Sequence, residues 1–382
     1  MPSNFKKYPK KPLNKNKNDI NICIFYKGRT PFYLRLVSVL RHISQKPHYN
    51  IFTVYPQDYE KFRQDISNDN IFFDYVILQR DYFDFEIAYQ LLEKSKYSNF
   101  KVIYEIDDDL IHMDESNPGH NYYMKIKPDL ENMISKSDIV SVATVNLKKQ
   151  LSHLNNNIVV IKNRLIDSWF KEINEYNRSG NTIKIGYMGS IYHSWDLILI
   201  EEAIANVKEY FSKKGISIIL EVIGGTDESL DFANQIEIPQ DSTDYFNFVE
   251  WFVNAVDWDI AIAPLESSNI NSCKSELKYL EYAVLGIPAI YSNIGPYSQN
   301  IVNDVNGLLV YSNSPEEWTS AIIRLIENID LQNTIRKNAI DDVEDNYRIK
   351  KSVEEWHALF ESNIARDSKI KLYLKRILSR IE

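Results

Sequence analysis

Two cysteines among 382 residues, Cys23 and Cys273, are too few for a disulfide framework or a zinc knuckle, and they suit a reducing compartment. No apolar run approaches the ~20 residues that span a bilayer. The basic stretch over residues 1–19 is not followed by the apolar segment of a signal peptide. The chain is therefore expected in the cytoplasm, or peripherally on the inner face of the membrane. Basic residues are not in excess either. The formal charge is −9, and general nucleic-acid binding needs a basic face, so nucleic acid is not an expected partner. No HExxH, Walker A or G-x-S-x-G motif occurs, and no short internal repeat is visible.

What the chain does have is a globular balance: 44% hydrophobic and 25% charged residues, enough to bury a large core. Aromatics reach 13% and are mostly tyrosine, so flat walls with polar tips are available for a cleft. Its length suggests two domains and an extension. Residues 1–19 read as a disordered basic tail. From residue 20, short β-branched or aromatic runs recur at 20–26, 50–55, 74–79, 101–106, 138–144 and 157–161. Helix-period stretches separate them; Tyr33, Leu36, Val37 and Leu40 form one apolar stripe. That alternation predicts a parallel sheet over 20–164. A polar stretch over 165–181, ending NEYNRSGN, reads as a linker. The alternation restarts over 182–345, with a long helix expected from Asp196 to about Phe211, and helices follow over 346–382. The expected fold is α/β, with two Rossmann-like domains facing a central cleft. Ligands in such sheets bind at the carboxyl ends of the strands.

The stretch at 271–297 is the most informative. Ser275 is a good N-cap for a helix ending near Gly286, with Pro288 beyond. Lys274, Lys278 and Glu281 fall at i, i+4, i+7, so they share one face, and seven positions cover about 10 Å of helix axis. A helix N-terminus beside Lys274 is a ready site for a diphosphate, and Glu281 could hold ribose hydroxyls. A solvated face with charge pairs gives the same spacing. Gly189 and Ser190 follow the first strand of the second half, where a glycine lets backbone N–H groups approach a phosphate; an ordinary strand-to-helix turn is the alternative. His193 and Asp196 come next, Asp196 as a helix cap and His193 either reaching the donor or merely exposed. Arg164, after Asn163 at the end of the first half, is either a second cleft cation or a surface residue.

At these residues the chain resembles a known family. KSELKYLEYAVLGIPAIYSNIGPYSQNIVNDVNGLLV looks like the donor-site signature of GT-B glycosyltransferases, in particular retaining family 4 (glycosyl transferases group 1) of the polysaccharide and glycan biosynthesis type. The resemblance extends to IKIGYMGSIYHSWDL, DIAIAPLESSNIN, FDYVILQRDYF and VIYEIDDDLI. It implies a nucleotide-sugar donor as co-substrate, held by Gly189, Ser190, Lys274, Ser275, Lys278, Glu281 and Arg164, with Lys274 and His193 in catalytic roles. It implies no required cofactor or metal, and a glycan or lipid-linked acceptor entering from the first domain. Glu281 matches the second glutamate of the family's E-x7-E motif; Cys273 stands where the first would be.

Asp107, Asp108 and Asp109 allow a competing view. A D-x-D at a strand end holds Mg²⁺ or Mn²⁺ in a metal-dependent GT-A-like transferase. The preferred reading is an acidic loop on the acceptor side. A non-catalytic nucleotide- or glycan-binding scaffold is a third possibility, suggested by Cys273. Finally, residues 366–382 carry an apolar stripe (Ile370, Tyr373, Leu374, Ile377, Leu378, Ile381) among Lys and Arg. Such a helix could lie on an anionic membrane surface, or pack against the protein itself.

Overall fold

The computed structural model describes residues 4–9, 18–115, 117–170, 180–189, 194–224 and 230–362. Two all-parallel sheets dominate. The first contains β1 (Lys6–Lys7), β2 (Ile20–Phe25), β3 (Tyr49–Val54), β4 (Tyr75–Gln79), β5 (Lys101–Ile106), β6 (Ile139–Val142) and β7 (Ile158–Val160). Their order is β1-β3-β2-β4-β5-β6-β7. The second contains β8 (Thr182–Gly189), β9 (Ser217–Gly224), β10 (Asn234–Ile236), β11 (Ile260–Ala263), β12 (Ala289–Ser292) and β13 (Leu308–Val310), in the order β10-β9-β8-β11-β12-β13. Central strands are near-continuous Val/Ile runs because helices cover both faces, as a parallel sheet requires. The chain order reverses between β2 and β4 in the first sheet and between β8 and β11 in the second. A crevice opens at the carboxyl ends there.

Two expectations change. The basic tail is not all unstructured, because Lys6 and Lys7 pair with Phe52 and Thr53 at the sheet edge. Tyr8 is buried against Phe62 and its hydroxyl donates to Asp65. The helix expected from Asp196 to Phe211 is two helices, Ser194–Ile198 and Glu201–Ser212. After helix Ile329–Asn346, helical residues 349–362 return to the first sheet. There Trp356 and Phe360 are buried, and Tyr75 donates its hydroxyl to the Phe360 carbonyl at 2.6 Å. Burying two such aromatics contributes roughly 1.5–3 kcal/mol each, so the chain's return ties the two halves together. Residues 171–179 of the expected linker and 366–382 of the basic end lie outside the described residues.

Candidate functional site

The helix after the donor-type Lys274 runs Leu277–Val284, one residue later than an N-cap at Ser275 would start it. Its N-cap residue is Glu276, which makes no side-chain cap bond. Ser275 therefore does not cap it. The Ser275 hydroxyl instead accepts a 2.8 Å hydrogen bond from the Asn163 amide at the end of the first half. A short helix, Asn269–Cys273, precedes it, and extended backbone at Lys274 (ψ 161°) separates the two. That break turns residues 272–276 toward the first domain. Thr144 donates to the Cys273 carbonyl and Asn146 to the Ser272 carbonyl, both at 2.8 Å. Lys162 lies 3.6 Å from Glu276.

Lys274, Lys278 and Glu281 do share a site, and its electrostatics are strained. Glu281 is 6% exposed, and burial pushes its carboxyl up to about 8 even though Lys278 pulls the other way. Burial also depresses Lys278, to about 8; Lys274 adds to this, while Asp196 and Glu281 oppose it. The Lys278 ammonium stands over the Tyr187 ring at 5.3 Å. Lys274 is lowered by burial as well, against the attraction of Asp196, Asp108 and Asp114. Two half-buried cations next to each other are poised to receive an anion.

Asp196 is the residue that spacing misassigned. It does not cap a helix; it is buried at 4% and accepts the Glu266 backbone N–H at 3.0 Å. From there its charge supports both lysines. Only the fold brings it to them, from about 80 residues earlier in the sequence. At the carboxyl ends of β8 and β9, Gly224 adopts φ +64°, and a Cβ there would stand 2.1 Å from the Gly189 carbonyl oxygen. The two strand ends can approach so closely only because residue 224 is glycine. Ser190 and His193 lie outside the described residues.

Arg164 is not in the cleft. Its guanidinium forms a bidentate pair with Glu355 at 2.6 and 2.7 Å and donates to Ser352 at 2.9 Å. It clamps helical residues 349–362 to the crossover, so the donor role expected for it is withdrawn. Cys273 is buried, and its thiol is pushed up to about 11, by burial first and then by Asp109. A neutral thiol thus occupies the place of the family's first glutamate.

Across the cleft, at the ends of β4 and β5, Arg80 bridges the acidic run. Its Nε donates to Asp107 and its Nη2 to Asp108, each at 2.5 Å. Arg80 adopts φ +48°, a backbone state that costs a non-glycine residue of order 1–3 kcal/mol and clusters at functional sites. Burial acts to raise the Asp107 carboxyl, but Arg80 outweighs it and holds the group below its ordinary range. The third carboxylate, Asp109, accepts from His112 Nδ1 at 2.9 Å. The run is therefore spent on Arg80 and His112, and its charge reaches Lys274 through Asp108. Among the described residues, no three His, Cys, Asp or Glu side chains converge to hold a metal ion. Beneath the run lies a network that spacing could not show. Buried Arg35 donates to Glu105 at 2.6 Å, to the Ile161 carbonyl at 2.6 Å and to Asn163 at 3.0 Å.

Residues 182–328 match the family of glycosyl transferases group 1. An uncharacterized glycosyltransferase of Methanocaldococcus jannaschii is 28% identical over 187 residues, which are 47% of this chain and 45% of that protein. The chain thus spans a little under half the length of the curated relative it matches. Among solved structures, a glycosyltransferase from Rickettsia africae superposes with a TM-score of 0.63 at 15% identity, covering 90% of this chain and 98% of that one. Sucrose-phosphate synthase from Thermosynechococcus elongatus gives 0.63 at 12% identity, covering 91% and 100%. Anabaena HepE, solved with UDP and glucose, gives 0.61 at 11% identity, covering 90% and 100%. The architecture is therefore that of the GT-B fold, two Rossmann-like sheets with their helices, and its second sheet lies within the stretch matched by glycosyl transferases group 1.

Proposed function

We propose that this chain is a glycosyltransferase that moves a sugar from a nucleotide-sugar donor to a hydroxyl of a glycan or glycolipid acceptor, with retention at the anomeric carbon. The observation that carries the reading is the pair of half-buried lysines, Lys274 and Lys278, with Glu281 one helical turn further on. They stand on the segment that crosses to the acceptor-side domain. The diphosphate would lie against Lys274 and Lys278 and the ribose against Glu281. HepE, whose structure holds UDP and glucose, supports a donor of this class.

In the reaction, the bond from the sugar's anomeric carbon to the phosphate oxygen breaks as the acceptor oxygen bonds to the same face. The departing diphosphate takes the acceptor's proton. Lys274 stabilises the negative charge that grows on the leaving oxygen, which is where a preorganised cation is most effective. No required metal enters this scheme, because Arg80 already occupies Asp107 and Asp108. The basic segment 366–382 would dock the enzyme on the cytoplasmic face of an anionic membrane.

The test is a thermal-shift screen against nucleoside diphosphates and their sugars, followed by donor hydrolysis and transfer assays in EDTA. One donor class should raise the melting temperature; a hundredfold excess over Kd stabilises by ~2.7 kcal/mol. Slow hydrolysis of that donor should persist in EDTA, and NMR of the glycosylated product should show retained configuration. Binding with no hydrolysis or transfer would leave a scaffold. Activity lost in EDTA and restored by Mn²⁺ would move the chemistry to a metal-dependent mechanism.

A further inference from the structure

We infer that the carboxyl end of the first sheet carries a tyrosine-lined subsite for a pyranose ring of an oligosaccharide acceptor; this deepens the transferase reading and rests on it. Four tyrosines sit there, each half-buried: Tyr26 directly after β2, Tyr33 on the first turn of the helix that follows, Tyr55 directly after β3, and Tyr82 after β4. β2 and β4 flank the point where strand order reverses, the place where open parallel sheets bind ligands. The Tyr26 and Tyr55 rings lie 4.9 Å apart and tilted by 32°, and the Tyr26 ring rests edge-on against buried Phe32 at 5.8 Å. Tyr33 meets Phe246 of the second sheet's domain at 5.6 Å. The row therefore runs into the cleft between the domains.

Its chemistry selects a sugar. Phenol rings offer a flat apolar face and a hydroxyl edge, the complement of a pyranose with C–H groups on one face and hydroxyls on its rim. The rim is wet and cationic: Lys27, Gly28, Arg29 and Thr30 are exposed, and the Lys27 ammonium stands 5.8 Å from the centre of the Tyr82 ring. An alkyl chain laid here would desolvate those hydroxyls and cations without pairing them. Gly28 keeps a side chain away from the tips of Tyr26 and Tyr33, whose hydroxyls hydrogen-bond each other. A Cβ at residue 28 would stand 3.2 Å from the Tyr26 hydroxyl oxygen and 4.0 Å from that of Tyr33. A nucleobase would also stack, but Lys274, Lys278 and Glu281 place the nucleotide against the other domain.

The experiment is saturation-transfer NMR on the full chain with tetrasaccharides of glucose, galactose, mannose and N-acetylglucosamine, with and without UDP. At least one should bind, with transfer strongest to ring C–H protons. Tyr26→Ala/Tyr55→Ala should weaken it at least tenfold, about 1.4 kcal/mol, while Tyr26→Phe/Tyr55→Phe should retain most of it. UDP affinity, measured by titration, should be unchanged in both. If the alanine variant unfolds, Gly28→Leu decides: it adds a side chain over the tyrosine tips from an exposed position and should abolish saccharide binding. The inference is overturned if no tetrasaccharide binds, if binding survives in folded Tyr26→Ala/Tyr55→Ala or Gly28→Leu, or if dodecanol competes with the sugar. Failure of UDP to bind the wild type counts against the transferase reading alone, because saccharide binding is read separately.

Discussion

Replacing Glu281 by glutamine should make the empty protein more stable and a worse binder of donor. The carboxyl is raised from an ordinary 4.5 to about 8, by burial first and with Lys278 opposing. A folded state that raises an acid's pKa binds more protons than the unfolded chain between those values. Stability from the neutral form is thus complete below about pH 4.5 and is lost as pH rises toward 8. At about 1.4 kcal/mol per pH unit, the wild type forfeits about 3 kcal/mol at pH 7. Glutamine has the same shape and no charge to hold back. It also removes a neighbour that supports the Lys278 ammonium, which offsets part of the gain. A net stabilisation of about 1–3 kcal/mol remains, worth roughly 3–8 °C for a domain of this size. Scanning fluorimetry from roughly pH 5.5 to 8.5 should show Glu281→Gln melting higher, with the gap widening as pH rises. At about pH 8.5, where Glu281 is ionised, the same variant should bind donor at least tenfold more weakly, as expected when a charge-assisted hydrogen bond of ~1.5–3 kcal/mol is lost. A lower melting temperature, or a gap that does not change with pH, would show that Glu281 is a paired structural carboxylate and would refute the reasoning.

Lys274→Ala should lower kcat at least a hundredfold, about 3 kcal/mol, rather than merely raise KM, because the charge it meets grows in the transition state. Steady-state kinetics with near-normal kcat would reduce it to a binding residue. Arg164→Ala should drop stability by about 2–3 kcal/mol through loss of its charge-assisted bonds to Glu355 and Ser352, read as a lower melting temperature with donor Kd unchanged. Weaker donor binding at an unchanged melting temperature would return Arg164 to the cleft. A chain ending at residue 365 should lose binding to phosphatidylserine vesicles at low salt while keeping transfer to a free acceptor. Equal vesicle binding by both chains would exclude the basic segment as the anchor.

Periodicity made the strands legible because buried parallel strands are written as uninterrupted apolar runs, and KVIYEI at 101–106 is found where expected. Lys6–Lys7 is a strand without that signature: it is two exposed lysines held by pairing with β3 and by the anchor of Tyr8. Lys278 and Glu281 were legible because residues three apart on a helix share a face, whereas Lys274 joins them from extended backbone ahead of that helix. Asp196, Arg35 and the Arg164–Glu355 pair were not, because each acts on a partner dozens to nearly two hundred residues away. A charged residue inside a mixed polar stretch carries no mark of whether it faces solvent or a buried partner. The tail of residues 349–362 was legible as a helix and not as a link. Its apolar residues, Trp356 and Phe360, show that something covers them without saying which sheet does so.

The buried network beneath the cleft explains why Ser275 matters without capping a helix. A guanidinium only donates, so Arg35 fixes the Asn163 side chain with its carbonyl toward Arg35 and its amide toward Ser275. The Ser275 oxygen thereby receives a hydrogen bond, and its own proton is left to donate elsewhere. Glu105, held by Arg35 and by Gln79 at 2.5 Å, anchors the far end. The sequence of donors therefore runs from the first sheet's interior, through the crossover, to the start of the donor-type segment. Beside it stand two ammonium groups, which also only donate. Ser275, Lys274 and Lys278 thus present hydrogens and positive charge, an arrangement that favours an anion rich in acceptor oxygens over a neutral ligand. The first domain contributes to that preference from a distance, because turning Asn163 over would set its carbonyl against Ser275 and its amide against a guanidinium.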